Sequence, residues 1–397
     1  MNLPLDAPGH HSWLERGFAD ILAFVLPSPL PRGGFAYLGA DRSPMPGRAP
    51  QLFLTARMVH VAAMGVARGI PGSGELLDHG IDSLLGFHRD LEHGGFLSEP
   101  GTTTRKMAYD HVHVGLAAAA ARRVAHPRAM ALWNLVVEVI ETRLWDEQSR
   151  TLRESFAPDW SDEEDYRGAN ANMHGVEAFL AMGDASGEVI WHDRAYAVTS
   201  RLVDGAARDF GWLMPEHYSR SWEPLPDYNR DDPNHPFRPY GATPGHLLEW
   251  ARFAADLHAS PVVAPSSWLL DAAESLAHKA LDDLWGVDGR PGLVYTVDFA
   301  GAPVSTLRLH WPVCEAIQAC ATLARLTGEP HWARWYSRVW DHAARYFIDE
   351  RGTWVNELDE QLRPGGVVWP GRPDVYHCCG ALTAALQPVW PTPARWS

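Results

Sequence analysis

The chain has 397 residues, 46% hydrophobic and 21% charged, a balance that lets a globular protein bury a sizeable core. A formal net charge of −15 sets the surface against a phosphate backbone, so no nucleic-acid partner is expected, and no apolar run reaches the roughly 18 residues a membrane span needs. Met1 to Gly17 lacks a basic segment followed by an apolar stretch, so no secretory leader is expected, and the four cysteines, Cys314, Cys320, Cys378 and Cys379, form no CxxC pair and suit a reducing cytoplasm.

Helical periodicity predicts twelve helices, near 12–26, 50–68, 74–92, 108–124, 127–146, 171–183, 187–205, 243–258, 266–285, 311–327, 330–348 and 376–388. Ser12 marks the first start, Pro127 and Pro330 occupy first-turn positions, and Gly328 is a stop. Short β-prone pieces follow the odd-numbered helices: 94–97, 144–146 with 151–152, 210–213, 284–286 with 292–294, and 347–349 with 352–355. Two helices and a small hairpin, repeated about six times, predict an all-α closed toroid. No low-complexity linker divides it, so a single catalytic domain over 1–397 is expected.

Polar groups interrupt the apolar pattern on the even-numbered helices only. The second carries Arg57; the fourth begins Lys106-Met107-Ala108-Tyr109-Asp110-His111. The sixth begins with Asn170, Asn172 and His174, followed by Glu177, and the eighth with Thr243-Pro244-Gly245-His246, followed by Glu249. The tenth begins His310-Trp311, followed by Glu315, and the twelfth Asp374-Val375-Tyr376-His377. These anchors recur at intervals of roughly 50–70 residues. In an α/α barrel alternate helices run the same way, so the six helix starts are expected to converge on one cup. Any one of them taken singly is explained as a cap or a satisfied core group; six together are not. His246 and Glu249 stand i, i+3, as do His174 and Glu177, so each glutamate is placed to fix an imidazole tautomer. The helix-start dipole favours a neutral ring, the form a general base needs. No HExxH is present and the six elements come singly from separate helices, which argues against a metal; a set richer in His than in carboxylates argues against an inverting glycosidase. Eighteen tryptophans are mostly core, but indoles are also what the C–H face of a sugar stacks on.

These residues resemble the N-acylglucosamine 2-epimerase superfamily from about Arg57 to His377. The most specific segments are Asn172-Met173-His174-Gly175-Val176-Glu177-Ala178 and Pro239-Tyr240-Gly241-Ala242-Thr243-Pro244-Gly245-His246-Leu247-Leu248-Glu249-Trp250. The resemblance implies an (α/α)6 barrel, no cofactor, no metal and acid/base chemistry by His246 and His377. Arg57 matches an active-site arginine, Glu249 the carboxylate partner of the first histidine, and His174 a third histidine suited to ring opening. Tyr109, Asn172, Trp311 and Glu315 match substrate-lining positions. Phe53 stands where several relatives carry Trp, and Cys378-Cys379 after His377 is a local departure. Residues 234–240 look most like the mannose and sulfoquinovose isomerase branch. The expected activity is therefore an aldose–ketose isomerisation of D-mannose and D-fructose through a cis-enediolate, with a monosaccharide as partner and the chain a monomer or homodimer. The alternatives are a 2-epimerase of the cellobiose or N-acylglucosamine type, a sulfosugar isomerase using Arg238 as its anion contact, and a non-catalytic carbohydrate-binding or interaction protein, which would have no need of paired His–Glu units at helix starts.

Overall fold

The computed structural model describes residues 5–263 and 266–390. All twelve predicted helices form: α1 (Pro8–Val25), α2 (Leu52–Ala67), α3 (Ser73–Leu85), α4 (Ala108–Arg123), α5 (Ala129–Val139), α6 (Ala169–Ser186), α7 (Val189–Thr199), α8 (Pro244–Ala259), α9 (Ser267–His278), α10 (His310–Thr327), α11 (Pro330–Tyr346) and α12 (Tyr376–Ala384). Pro330 opens α11 as expected, while Pro244 opens α8; Gly187 and Gly328 end α6 and α10 at φ of 76° and 69°, where a side chain would be strained. Helices α5, α7 and α9 differ from a simple helix in running on as π-helical segments, Ile140–Leu144, Ser200–Ala207 and Lys279–Asp283.

The strands are two or three residues long: β1 (Lys106–Met107), β2 (Trp145–Asp146), β3 (Thr151–Leu152), β4 (Ser155–Phe156), β5 (Arg167–Gly168), β6 (His217–Tyr218), β7 (Thr296–Val297), β8 (Pro303–Ser305), β9 (Arg308–Leu309) and β10 (Glu357–Leu358). The hairpin expected after the fifth helix is β2–β3. Those expected at 94–97 and 347–355 are single bridges, Arg89 to Phe96 and Ile348 to Trp354. Residues 210–213 form a turn, and after α9 the hairpin is β7–β8 rather than 284–294.

The described residues divide into two compact units. The first comprises Leu22–Val198 and Pro373–Tyr376; the second comprises residues 5–21, Thr199–Arg372 and residues 377–390. Within the first, α2 packs on α3 and α4, and α4 on α5 and α6; β1 pairs with β4 and β2 with β3. Within the second, α8 packs on α9 and α10, and α10 on α11; β7 pairs with β8 and β9 with β10.

Burial alternates along the chain. Helices α2, α4, α6, α8 and α10 are buried almost all round; in α4 every residue from Ala108 to Ala121 is buried. Such helices are apolar on every side apart from a few polar groups, whereas α3, α5, α9 and α11 bury one face. The run Ala117–Ala121 keeps α4 slim between α2 and α6. Polar residues retained inside helices of this kind must be partnered there.

Candidate active site

The residues expected to carry chemistry sort into two sets, one in each unit.

In the second unit, the loop ahead of α8 is pinned to β7 by paired backbone bonds, Ala242 N–H to the Val297 carbonyl at 2.8 Å and the reverse at 2.9 Å. Gly241 makes this possible: its φ is +92°, and a Cβ there would run into the Val297 carbonyl. Pro244 starts the helix, and Gly245 leaves room for the Trp311 ring, which any side chain at 245 would strike. His246 thus enters the first turn of α8 with its ring 5.0 Å from Trp311, centroid to centroid. The same indole lies 6.0 Å from the His377 ring, from the first turn of α12, and is backed by Tyr295, Leu307, Leu309 and Val368.

Each imidazole is held by a buried carboxylate. His246 Nδ1 lies 2.8 Å from Glu216 Oε1, and His377 Nδ1 lies 2.8 Å from Glu315 Oε1. A carboxylate accepts, so Nδ1 is the donor in both rings and Nε2 is the nitrogen left for proton exchange. Both histidines are under a tenth exposed. The expected i, i+3 bond between His246 and Glu249 is not formed. Glu216, from the extended segment just before β6, reaches the ring instead, and Glu249 turns toward Glu315 and His377. Glu315, expected to line the substrate, has both oxygens committed: Oε1 to His377 and to Gln318 at 2.7 Å, Oε2 to the Arg252 guanidinium at 3.1 Å. The donor atoms of Glu249, Glu315 and His377 lie within 4.8 Å of one another, close enough to hold an ion. An ion seated on Glu315 would have to compete with the guanidinium already there, which fits these groups to orienting an imidazole better than to ligation.

In the first unit, Arg57 is the centre. Its Nε donates to His113 Nε2 at 3.0 Å, one terminal nitrogen to the Tyr109 hydroxyl at 3.0 Å, and the other faces Asp374 at 3.5 Å. The guanidinium lies 4.7 Å over Tyr376 and 5.4 Å over Phe53, so Phe53 acts as a wall for the cation. His113 donates from Nδ1 to the Tyr109 carbonyl at 2.7 Å, which leaves Nε2 as the acceptor for Arg57. Burial, and then the charge of Arg57, hold His113 well below the ordinary imidazole range, so it stays neutral beside a cation. The His174 ring sits 4.6 Å from His113 and 5.3 Å from Tyr109, and its Nδ1 meets Glu177 at 3.4 Å, the i, i+3 pairing expected of it. Asp110, also noted at the start of α4, accepts from the Ser98 hydroxyl, and burial pushes its carboxyl up to about 7.

Two expected substrate contacts have other surroundings. The Asn172 side chain is wholly engaged with backbone: Oδ1 accepts from Leu152 N–H at 2.8 Å, and Nδ2 donates to the Gly168 carbonyl at 3.0 Å and the Leu152 carbonyl at 3.4 Å. It ties β3 to the start of α6 and has no donor to spare for a sugar. Arg238 is half-buried in the loop before α8, its N–H on His235 Nδ1 at 2.9 Å and its carbonyl held by Asn229 at 2.8 Å.

Glu216, Arg252 and His113 were missed by sequence reasoning. Glu216 and Arg252 act through partners 30 and 63 residues away. His113 alone left a signal, one turn beyond Tyr109 on a helix with no polar face.

Comparison with known proteins gives a consistent result. The family model described as N-acylglucosamine 2-epimerase matches residues 33–381. A D-mannose isomerase of Pseudomonas cannabina pv. alisalensis is 44% identical over 98% of this chain and 94% of its own. A D-mannose isomerase of Thermobifida fusca is 43% identical over 96% of both. A crystal structure of D-mannose isomerase superposes with a TM-score of 0.87 at 26% identity, covering 94% of this chain and 97% of that one. The fold class is thereby the (α/α)6 barrel expected from the repeat of helices.

Proposed function

Because the chain belongs to the N-acylglucosamine 2-epimerase family, we propose that it is an aldose–ketose isomerase interconverting D-mannose and D-fructose. The observation that carries this reading is the pair of imidazoles beside one indole, each with Nδ1 tied to its own buried carboxylate. In open-chain mannose the C1 carbonyl acidifies the hydrogen on C2. His377, oriented by Glu315, takes that proton on Nε2, and the electron pair moves into the C1–C2 bond to give a cis-enediolate. Return of the proton to C1, with a carbonyl forming at C2, gives the ketose. His246, oriented by Glu216, moves the proton between O1 and O2 that this shift requires. Positioned groups of this kind each contribute about 10²–10⁴-fold. Trp311 supplies an apolar face for the sugar C–H groups and keeps water from the bases.

For the set around Arg57, we assign the guanidinium to a developing oxyanion, His174 to ring opening, and Tyr109 and Phe53 to holding Arg57 in its orientation. We assign the proton transfers to the imidazoles without a metal ion, because Glu315 already serves His377 and Arg252. Among the described residues no helix is long and apolar enough to cross a membrane, and the four cysteines form no disulfide; the latter suits a cytoplasmic protein.

The test is product analysis by NMR with D-mannose in heavy water. Fructose is the expected product; cellobiose or N-acetylglucosamine should give no 2-epimer at a comparable rate. His246→Asn and His377→Asn should each lower turnover about 10²–10⁴-fold while circular dichroism stays unchanged. Undiminished turnover in either variant would overturn the assignment.

A further inference from the structure

We propose that the second unit carries a separate divalent transition-metal site on its solvent side, formed by His278 at the end of α9, Asp282 in the π-helical segment that follows, and His331 in the first turn of α11. Their ligand atoms lie within 4.8 Å of one another. Asp282 Oδ2 is shared: His278 Nδ1 is 2.5 Å from it and His331 Nε2 is 3.2 Å from it. The two imidazoles face each other at 4.9 Å between centroids.

The donor set is chemically selective. Two imidazoles and one carboxylate suit zinc, nickel or copper, not the all-oxygen shells of calcium or magnesium. Tetrahedral bonds of about 2.0–2.1 Å put neighbouring ligand atoms about 3.4 Å apart. His331 and Asp282 are already near that spacing, and His278 has only to open by about an ångström, a side-chain movement at an exposed position. Water would fill the fourth position.

Three further features point at a ligand rather than a chance cluster. Nε2 of His331 is shielded from solvent yet makes no hydrogen bond among the described residues, although Asp282 Oδ2 lies only 3.2 Å away. The other oxygen of Asp282 is fixed by the Trp335 indole N–H at 2.8 Å, the kind of outer contact that orients a metal-bound carboxylate. His278 and His331 both lie against Trp332, at 4.7 and 4.8 Å, so neither ring is loose. A bound ion would join α9 and its π segment to α11 and act as a structural clamp, independent of the catalytic groups.

The experiment is calorimetric titration of the chelator-treated full chain with zinc chloride, alongside melting curves with and without zinc. The wild-type chain should bind one equivalent and melt at a temperature that rises with zinc concentration. His331→Gln and Asp282→Asn should abolish both effects, and Trp335→Phe should weaken binding about tenfold or more, all with sugar turnover unchanged. No saturable zinc binding by the wild type would overturn the proposal. So would binding that survives in His331→Gln and Asp282→Asn but is lost in His377→Ala, which would place the ion at Glu249 and Glu315. Failure of the isomerase assay leaves this result untouched, since the titration does not read turnover.

Discussion

At the scale of single residues, the two histidines use one device built from unrelated stretches of chain. A carboxylate holds Nδ1–H and so decides which nitrogen is basic. Glu216→Gln tests this directly, because an amide can turn its N–H toward Nδ1, reverse the tautomer and leave the packing alone. Turnover should fall about 10²–10⁴-fold with little change in KM, as expected when a wrongly tautomerised imidazole loses its role in proton transfer. A larger loss for Glu249→Gln than for Glu216→Gln, measured in the same kinetic assay, would restore the i, i+3 partnership. The histidines and Arg57 were legible because they break the pattern of apolar helices. The carboxylate that serves His246 was not, since Glu216 in its loop looks like any other surface glutamate until folding brings it to a ring 30 residues away. Asn172 misled for the opposite reason: it belongs to a characteristic motif, but its amide serves the backbone of β3 and α6.

At the scale of elements, the segment leading into α8 shows why a motif can be read before its reasons are known. Gly241 and Gly245 are needed for two different close approaches, one to the Val297 carbonyl and one to the Trp311 ring. Gly245→Ala should destabilise the chain by about 1–3 kcal/mol, the usual cost of an extra methyl in a packed site, and should lower turnover by displacing the indole beside His246. Urea unfolding and steady-state kinetics measure the two effects; unchanged values of both would show that the close approach of the indole does not depend on Gly245. Helix positions were legible because each apolar face repeats over several turns. The hairpins were less so. Two-residue strands such as β7 offer no alternation to count, and after α9 the segment 284–294 is instead held as loop, with Gly286 N–H on the Gly292 carbonyl at 2.9 Å and Asp288 on Arg308 at 2.6 Å. The π-helical endings of α5, α7 and α9 left no trace in composition.

At the scale of the whole molecule, the buried histidines set the response to acid. Burial lowers His88, His111 and His342 from 6.5 to about 4, so between those values the unfolded chain binds protons that the folded chain refuses. Their contribution is complete above pH 6.5 and is lost as pH falls toward 4. Asp110 acts in the other sense, because its folded carboxyl keeps a proton up to about 7 and gains stability as pH drops. One group against three leaves a net proton uptake on unfolding, so the urea midpoint should decline from pH 7 to pH 5. A midpoint that is flat or rises over that range would contradict the burial of these rings. The fold class itself was the most legible property, since a two-helix repeat declares itself many times along one chain. The alternation of fully buried and half-buried helices also divides tolerance to substitution along the chain. A new side chain on the wet face of α3 meets water, whereas one in α4 or α6 must be refitted among packed neighbours on every side.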